Sequence, residues 1–157
     1  MRHRLQTPVN QSTILDYGQN FLTQLKAQCD SDNPRPIIFV AHSLGGIIVK
    51  EALRRSESHR VFQREYHQIY ESTSAMIFLG TPHRGADPRS VIRTVVETVF
   101  RGVGYKVNEN LVSGLLPTGE RLKEVREEYI RMQAMRDWKV HSFVETYGMR
   151  SLGGDKV

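Results

Sequence analysis

A serine stands between small residues in the stretch "VAHSLGG", residues 40–46. Ala41 lies two positions before Ser43 and Gly45 two positions after it, which is the small-x-Ser-x-Gly spacing of a nucleophile elbow. Such a turn is tight, so larger side chains at these two positions would collide with the neighbouring strand and helix. The pattern predicts that Ser43 is a nucleophile for acyl transfer and that the backbone N–H of Leu44 forms half of an oxyanion hole.

The alternative is a glycine-rich turn without chemistry, because so short a pattern arises by chance in about one chain of this length in ten. The position of Ser43 favours the elbow, since the serine follows an apolar strand and precedes an apolar-faced helix. His42 adjoins it, but neighbouring residues at an elbow point in different directions. We therefore interpret His42 as a packed or hydrogen-bonded histidine that shapes the site and is not the base of Ser43.

The elements on both sides of Ser43 must position it. The continuous apolar run "IIFVA" (37–41) predicts a strand covered on both faces, as in a parallel sheet. Residues 44–56 are predicted to form a helix. We expect its inward positions to be Ile47, Ile48, Ala52 and Leu53, and its outward positions to be Lys50, Arg54 and Arg55.

The rest of the chain alternates helices and strands. Apolar spacing predicts a helix over 13–29 with Thr13 as its cap, and residues 57–71 form a second helix or extend the one before. Strands are predicted at 75–80 and 138–146, and helices at 89–104 and 120–137, the last with the stripe Leu122, Val125, Tyr129 and Met132. This order indicates an α/β fold with a parallel sheet.

Length and composition narrow the class of protein. The length of 157 residues suits one domain. The net charge is +5, and the arginines are scattered along the chain and match no nucleic-acid-binding motif. No nucleic-acid partner is therefore predicted. Cys29 is the single cysteine and cannot form an internal disulfide, which makes a reducing, cytoplasmic compartment the default. No apolar run approaches the length of about 18 residues that a membrane span requires. No metal and no cofactor are predicted.

Three segments together resemble a known family: the elbow, "AMIFLGTPHRGAD" (75–87) and "VHSFVET" (140–146). They resemble the serine esterases and lipases of the α/β-hydrolase superfamily, in the serine-active-site-containing (SERAC-like) branch, over about residues 10–157. Similar domains occur in fungal NACHT and ankyrin-repeat proteins, which implies a fungal source. The resemblance implies that the strands at 37–41, 75–80 and 140–144 correspond to the fifth, sixth and seventh of that sheet, with a helical cap at about 88–137.

The resemblance also implies site residues. In this fold the triad runs in the order serine, acid, histidine, with the acid commonly after strand seven, where Glu145 stands. Asp87, after strand six, is the alternative acid, and Asp155 is a poorer one. His83 precedes both leading candidates, so a site-shaping role is favoured over the role of base. His141 is expected to lie in the core or on a sheet face.

The resemblance implies further parts on both sides of the chain. The family's second oxyanion donor is expected on an earlier loop, and its base histidine is expected beyond strand eight, whereas no histidine follows His141. We therefore expect residues 1–157 to be a single partial hydrolase domain, truncated at both ends.

Two functions follow from these expectations. The first is a serine hydrolase for small ester or lipid substrates. The alternative is a catalytically incomplete remnant that serves as a signalling or lipid-associated module. Peripheral membrane association, at the endoplasmic reticulum or the mitochondrion, is the localisation that the family resemblance implies beside the cytoplasm.

Overall fold

The computed structural model describes residues 14–61 and 63–81, positions 90, 93 and 97, and residues 119–143. Thr13 and most of the helix predicted over 89–104 lie outside these residues, although Ser90, Arg93 and Glu97 are helical. Within the described part, every predicted strand and the remaining predicted helices are present, with boundaries that shift by three residues or fewer at most ends.

The described residues contain four complete helices and three strands. In chain order they are α1 (Ile14–Gln28), β1 (Ile37–His42), α2 (Gly45–Ser58), α3 (Arg64–Ser72), β2 (Thr73–Leu79), α4 (Gly119–Met135) and β3 (Lys139–Phe143). The polar segment after α2 forms a separate helix and does not extend the one before, because the chain turns at residues 59–61. Among the described helices, none combines the length and apolar character that a bilayer span requires.

The three strands form one parallel sheet in the order β1-β2-β3. Phe39 lies beside Met76, which lies beside Val140, and this register continues to the ends of the strands. The carboxyl ends of all three strands therefore meet at one edge of the sheet. This arrangement confirms the predicted α/β fold, with neighbouring strands in the order that the family resemblance implied.

One face of the sheet carries the core. Phe39 and Ala41 of β1 and Met76 and Phe78 of β2 point to this face and are buried. All four helices pack there and contribute Leu22, Val49, Ala52, Leu53, Ile69, Tyr70, Tyr129 and Met132 to the same cluster. Because side chains alternate along a strand, this face is built from every second residue of β1 and β2.

The other face of the sheet is open along β1 and β3 and half-buried along β2, so the prediction that β1 is covered on both faces is wrong. Ile38 and Val40 of β1 are 62% and 66% exposed, and Phe143 of β3 is 60% exposed. His42 and His141 belong to this face by alternation and are also exposed. His141 is therefore a sheet-face histidine and not a core one.

The predicted inward and outward positions of α2 need one correction. Ile47, Ala52 and Leu53 are buried as expected, and Ile48 is half-buried. Lys50, however, is only 6% exposed, although it was predicted to face solvent. Its ammonium nitrogen lies 5.2 Å from the ring centre of Phe78 and 4.8 Å from that of Tyr129. The helix α4 covers this side of α2, so a position that reads as exposed on an isolated helix lies between two layers.

The adjacent Glu51 is fully buried and lies on the side of α2 that faces α1. Its carboxylate accepts hydrogen bonds from the guanidinium groups of Arg54, at 2.8 and 2.9 Å, and Arg55, at 2.6 Å. A Cβ at Gly18 of α1 would lie 2.6 Å from Cγ of Glu51, so only a glycine lets the two helices approach this closely. The buried carboxylate of Glu51, bound by two arginines of its own helix, therefore lies where α2 packs against α1.

The stripe predicted for α4 is confirmed, since Leu122, Val125, Tyr129 and Met132 are all buried. The helix packs on α2 and on the sheet, and the Tyr129 hydroxyl lies 3.8 Å from the sulfur of Met76. The cap predicted over about 88–137 lies mostly outside the described residues and stays a prediction.

Candidate active site

Ser43 occupies the turn between β1 and α2. The strand ends at His42 and the helix begins at Gly45, so the connection consists of Ser43 and Leu44. Ser43 has a φ of +51°, and among the described residues no other non-glycine residue has a positive φ. This left-handed conformation costs a residue with a Cβ roughly 1–2 kcal/mol. The surrounding structure must therefore hold it in place.

Backbone hydrogen bonds fasten this turn to the neighbouring strand. The Ser43 N–H donates to the carbonyl of Leu79 at 2.8 Å, which continues the pairing of β1 with β2 beyond the end of β1. In the same way the Gly80 N–H donates to the carbonyl of Phe143 at 2.8 Å. Backbone hydrogen bonds therefore join the carboxyl ends of β1, β2 and β3 next to the turn.

Two described groups donate hydrogen bonds to the carbonyl of Ser43. One comes from the Gly46 N–H in the first turn of α2, at 3.2 Å, and the other from the hydroxyl of Thr81, at 3.0 Å. Thr81 follows β2 and is 5% exposed, so its hydroxyl makes this bond away from water. The loop after β2 is thereby connected directly to the turn that carries Ser43.

The tightest contact at the turn lies at Gly46 and not at Gly45, where the sequence predicted it. A Cβ built at Gly45 meets only the Cβ of Ala41, at 4.0 Å, an ordinary contact. A Cβ at Gly46 would lie 2.9 Å from the Cβ of Thr81 and closer still to its Oγ1 and Cγ2 atoms. The second glycine of "LGG" therefore makes the room that Thr81 occupies.

Leu44 lies between Ser43 and the first residue of α2. Leu44 has the helical angles φ −62° and ψ −26°, and its carbonyl accepts from the N–H groups of Ile47 and Ile48. The structure gives no backbone hydrogen bond from the Leu44 N–H to any described residue. The first N–H groups of a helix have no partner within it and favour negative charge.

The other predicted site residues are placed less completely. His42 is exposed and lies next to the turn, on the open face of the sheet, so the packed alternative is wrong, whereas its predicted role in shaping the site stays a prediction. His83, Asp87 and Glu145 lie outside the described residues. The strands that precede them, β2 and β3, end at the same sheet edge as β1. The expectation that they join Ser43 at one site stays a prediction.

Two buried side chains of the core, Lys50 and Tyr129, have strongly shifted pKa values. Burial, with a smaller contribution from the charge of Arg126, lowers the pKa of Lys50 to about 8. Burial raises the pKa of Tyr129 to about 12. Among the residues that the structure describes, no group of acidic, histidine or cysteine side chains could hold a metal ion.

A groove of about 850 Å³ lies at the opposite edge of the sheet, lined by residues such as Pro36, Thr73 and Lys139 at the beginnings of the strands. In open parallel sheets, ligands bind at the carboxyl ends of the strands. This groove is therefore separate from the candidate active site.

Two residues that support the turn, Gly46 in α2 and Thr81 after β2, were not predicted from the sequence. Both stand in segments that carry the family resemblance, "AHSLGG" and "LGTPHRG". The only sequence feature that pointed to these residues was the presence of both segments in one chain. Neither segment alone indicates that Thr81 fills the space beside Gly46.

The sequence of this chain is similar to that of known proteins. Residues 13–101, more than half of the chain, match the family described as "Putative serine esterase (DUF676)". The chain is 25% identical to Protein SERAC1 of Bos taurus, 24% identical to that of Mus musculus and 23% identical to that of Homo sapiens. Each of these alignments covers 143 residues and 91% of the chain.

The chain spans about a fifth of the length of these curated relatives, since the alignments cover 20% of each. No solved structure matches it. The fungal source stays a prediction, because the relatives named above are mammalian. The match over residues 13–101, which includes both β1 and the turn at Ser43, shows that this chain belongs to the DUF676 serine esterase family and has a hydrolase-like domain.

Proposed function

We propose that this domain is a serine hydrolase that cleaves ester or lipid substrates by acyl transfer, with Ser43 as the nucleophile. The observation that carries the proposal is the φ of +51° at Ser43, in a two-residue turn between a parallel strand and a helix. Backbone strain of this kind occurs at functional sites, and a strained strand-to-helix turn is the setting in which a nucleophile elbow exposes its serine.

The proposed chemistry assigns a role to each group. The Ser43 hydroxyl oxygen attacks the ester carbonyl, and its proton passes to a general base. The carbonyl oxygen becomes an oxyanion that accepts a hydrogen bond from the Leu44 N–H at the start of α2. Collapse of this intermediate expels the alcohol, which receives the proton, and water then releases the acid from the acyl-serine.

The triad partners are proposed from the family resemblance. Glu145 would orient and stabilise the base, with Asp87 as the alternative acid, and His42, Gly45 and His83 would shape the site. The base itself is not assigned to a described residue. His42 is the last residue of β1 and the neighbour of Ser43, and His141 lies on β3, two strands away in the sheet.

A fluorophosphonate probe tests the nucleophile, because it reacts with activated serines. We expect the wild-type chain to be labelled and Ser43→Ala to be unlabelled. Ser58→Ala is the matched control, since Ser58 is an exposed serine at the other end of α2 whose hydroxyl bonds only the carbonyl of Arg55 among the described groups. Labelling that survives Ser43→Ala would contradict the assignment.

Hydrolysis of a short-chain p-nitrophenyl ester separates the hydrolase from the incomplete remnant. We expect turnover that Ser43→Ala abolishes and Ser58→Ala retains. A folded wild-type chain that neither turns over the ester nor reacts with the probe would favour a non-catalytic signalling or lipid-associated module. Substrate selection by the predicted cap region, residues 88–137, belongs to the same proposal.

We also propose peripheral association with anionic membranes, such as those of the endoplasmic reticulum or the mitochondrion, beside a cytoplasmic location. The support is the net charge of +5 and the groove that contains Arg35 and Arg64, for which the structure gives no ion pair with a described residue. Sedimentation with vesicles containing 30% phosphatidylserine at low salt tests this. Binding that persists in the double variant Arg35→Gln/Arg64→Gln would contradict the role of the groove.

A further inference from the structure

Thr81 has no role in the chemistry proposed above, yet among the described side chains it is the one whose hydrogen bond reaches the backbone of Ser43 from another segment. Its hydroxyl donates to the carbonyl of Ser43 at 3.0 Å across a separation of 38 residues. The threonine is 5% exposed, so water cannot readily replace this bond. Its side chain fills the space above Gly46, where any Cβ would collide with it.

The bond acts on the oxyanion donor through the peptide plane. The Ser43 carbonyl and the Leu44 N–H belong to the same planar, trans peptide unit, so they point in opposite directions and rotate together. Whatever holds the carbonyl therefore also sets the direction of the N–H. Thr81 holds the carbonyl from the side of the β2 loop, and the Gly46 N–H holds it from α2.

The same bond opposes relaxation of the strained residue. A φ of +51° is unfavourable for serine, and the turn could relax if the carbonyl were free to rotate. The bond from the Ser43 N–H to Leu79 fixes one side of the residue, and the bonds to its carbonyl fix the other. Thr81 is the one side chain among these partners, since the others are backbone groups.

We propose that Thr81 is a positioning residue for acyl transfer: its hydroxyl orients the Ser43–Leu44 peptide so that the Leu44 N–H points at the developing oxyanion. This inference rests on the proposed function. Thr81 does not touch the substrate, and it acts on the transition state through the peptide that it holds. Its loss is therefore expected to lower kcat and to leave KM nearly unchanged.

Three variants separate the hydroxyl from the shape of the side chain. Thr81→Val keeps the branched shape and removes the hydroxyl, and Thr81→Ser keeps the hydroxyl. Thr73→Val is the matched control, because Thr73 lies at the other end of β2, is 3% exposed, and donates its hydroxyl to the carbonyl of Ile69 at 2.7 Å. Both valine variants remove one buried threonine hydrogen bond, so their melting temperatures should fall by similar amounts.

The rate of fluorophosphonate labelling, measured well below the melting temperature, distinguishes the variants. We expect Thr81→Val to be labelled about tenfold more slowly than wild type, a smaller loss than removal of an oxyanion donor causes. The labelling rate of Thr81→Ser should be within about threefold of the wild-type rate, and the labelling rate of Thr73→Val should equal the wild-type rate. Ester turnover should show the same order in kcat. If Thr81→Val is labelled as fast as Thr73→Val, the proposal is overturned.

Amide hydrogen exchange of the peptide containing residues 43–48 gives a readout that does not depend on activity. We expect faster exchange in Thr81→Val, and wild-type exchange in Thr81→Ser and Thr73→Val. If the wild-type chain is not labelled at all, the proposed function fails, but this comparison still decides whether Thr81 holds the turn. Unchanged exchange in Thr81→Val would overturn that claim by itself.

Discussion

The two faces of the sheet use the same strands in opposite ways. On one face, Phe39 and Phe78 are buried beneath four helices. On the other, Val40, the neighbour of Phe39 in β1, is 66% exposed. One strand of continuous apolar sequence therefore has a covered side and an open side, and hydrophobic side chains on the open side contribute little to stability as the domain stands.

The covered face also contains charge, whereas the open face is apolar at its centre. Lys50 lies on aromatic rings and Glu51 binds two arginines, both within the helical layer. Burial by itself is thus a poor guide to side-chain polarity here. We therefore expect that the loss of stability on substitution depends on whether a residue lies between two layers of the fold, and less on how hydrophobic the residue is.

The largest loss of stability is expected for substitution of Phe39, on the covered face of the sheet. Phe39→Ala should destabilise the domain by about 3–5 kcal/mol, because it leaves a cavity in a core that is close-packed. Urea unfolding followed by circular dichroism measures the loss, and Phe39→Leu, which fills more of the space, should lose less. A Phe39→Ala variant as stable as wild type would show that the covered face is loosely packed.

The next effect is expected at Glu51, the buried carboxylate on α2. Glu51→Gln keeps the shape but removes the charge that accepts bonds from Arg54 and Arg55, and should cost about 2–3 kcal/mol. The control is Glu65→Gln, which removes a carboxylate that is 57% exposed and pairs with Lys26. Exposed pairs contribute little, so equal losses in the two variants would contradict the importance of burial.

Because of Lys50, the free energy of unfolding should depend on pH in the alkaline range. Burial lowers its pKa to about 8, whereas an unfolded lysine keeps a pKa near 10.5, so between these values the unfolded chain binds more protons than the folded one. Its contribution to stability therefore rises as pH increases from about 7 to 10, by about 2 kcal/mol.

The measurement is urea unfolding of wild type and Lys50→Met at pH 7 and pH 10. Methionine keeps a similar stem without the charge, so the difference between the two proteins isolates the titration of Lys50. Wild type should gain stability relative to the variant as pH rises. A constant difference across this range would show that the ammonium group is better solvated than its burial indicates.

A smaller loss is expected at the contact between α1 and α2. Gly18→Ala brings a Cβ to 2.6 Å from Cγ of Glu51, and separating the helices should cost about 1–2 kcal/mol even though alanine favours the helix. Asn20→Ala, at an exposed position of the same helix, provides the comparison and should not destabilise. Thermal melting of both variants decides whether the close approach matters.

The smallest effect is expected on the open face. Val40→Thr should change stability by no more than about 0.5 kcal/mol, because the side chain is mostly exposed and threonine retains the β-branched shape that favours strands. The relevant comparison is Phe39→Ala, one residue away. A loss above about 1.5 kcal/mol for Val40→Thr would mean that this face is covered in solution.

Local patterns were enough to predict most of the fold. The apolar runs at 37–41 and 75–80 form strands because they are short, branched and bounded by turn residues. The stripe of α4 is buried because its four residues share one helical face. Alternation of these elements predicted parallel pairing, which the register of Phe39 with Met76 and Val140 confirms.

The candidate site was predicted less completely. Ser43 and its turn follow from spacing, and the turn lies where the pattern placed it. The collision expected at Gly45 is found at Gly46, because the nearest obstacle belongs to a loop that is distant in sequence. The burial of Lys50 was missed for a similar reason: a single helix has one apolar stripe, but α2 contacts α1, α3, α4 and the sheet.

The sequence by itself determined which segments form strands and helices, which family the chain resembles, and that a serine stands in a strand-to-helix turn. These properties depend on neighbouring residues, whose spacing decides local backbone preference. Only the tertiary structure decided that Thr81 holds the Ser43 carbonyl, that Lys50 is buried, and that one sheet face is open. Each of these depends on groups brought together from distant parts of the chain, and spacing within a segment carries no information about them.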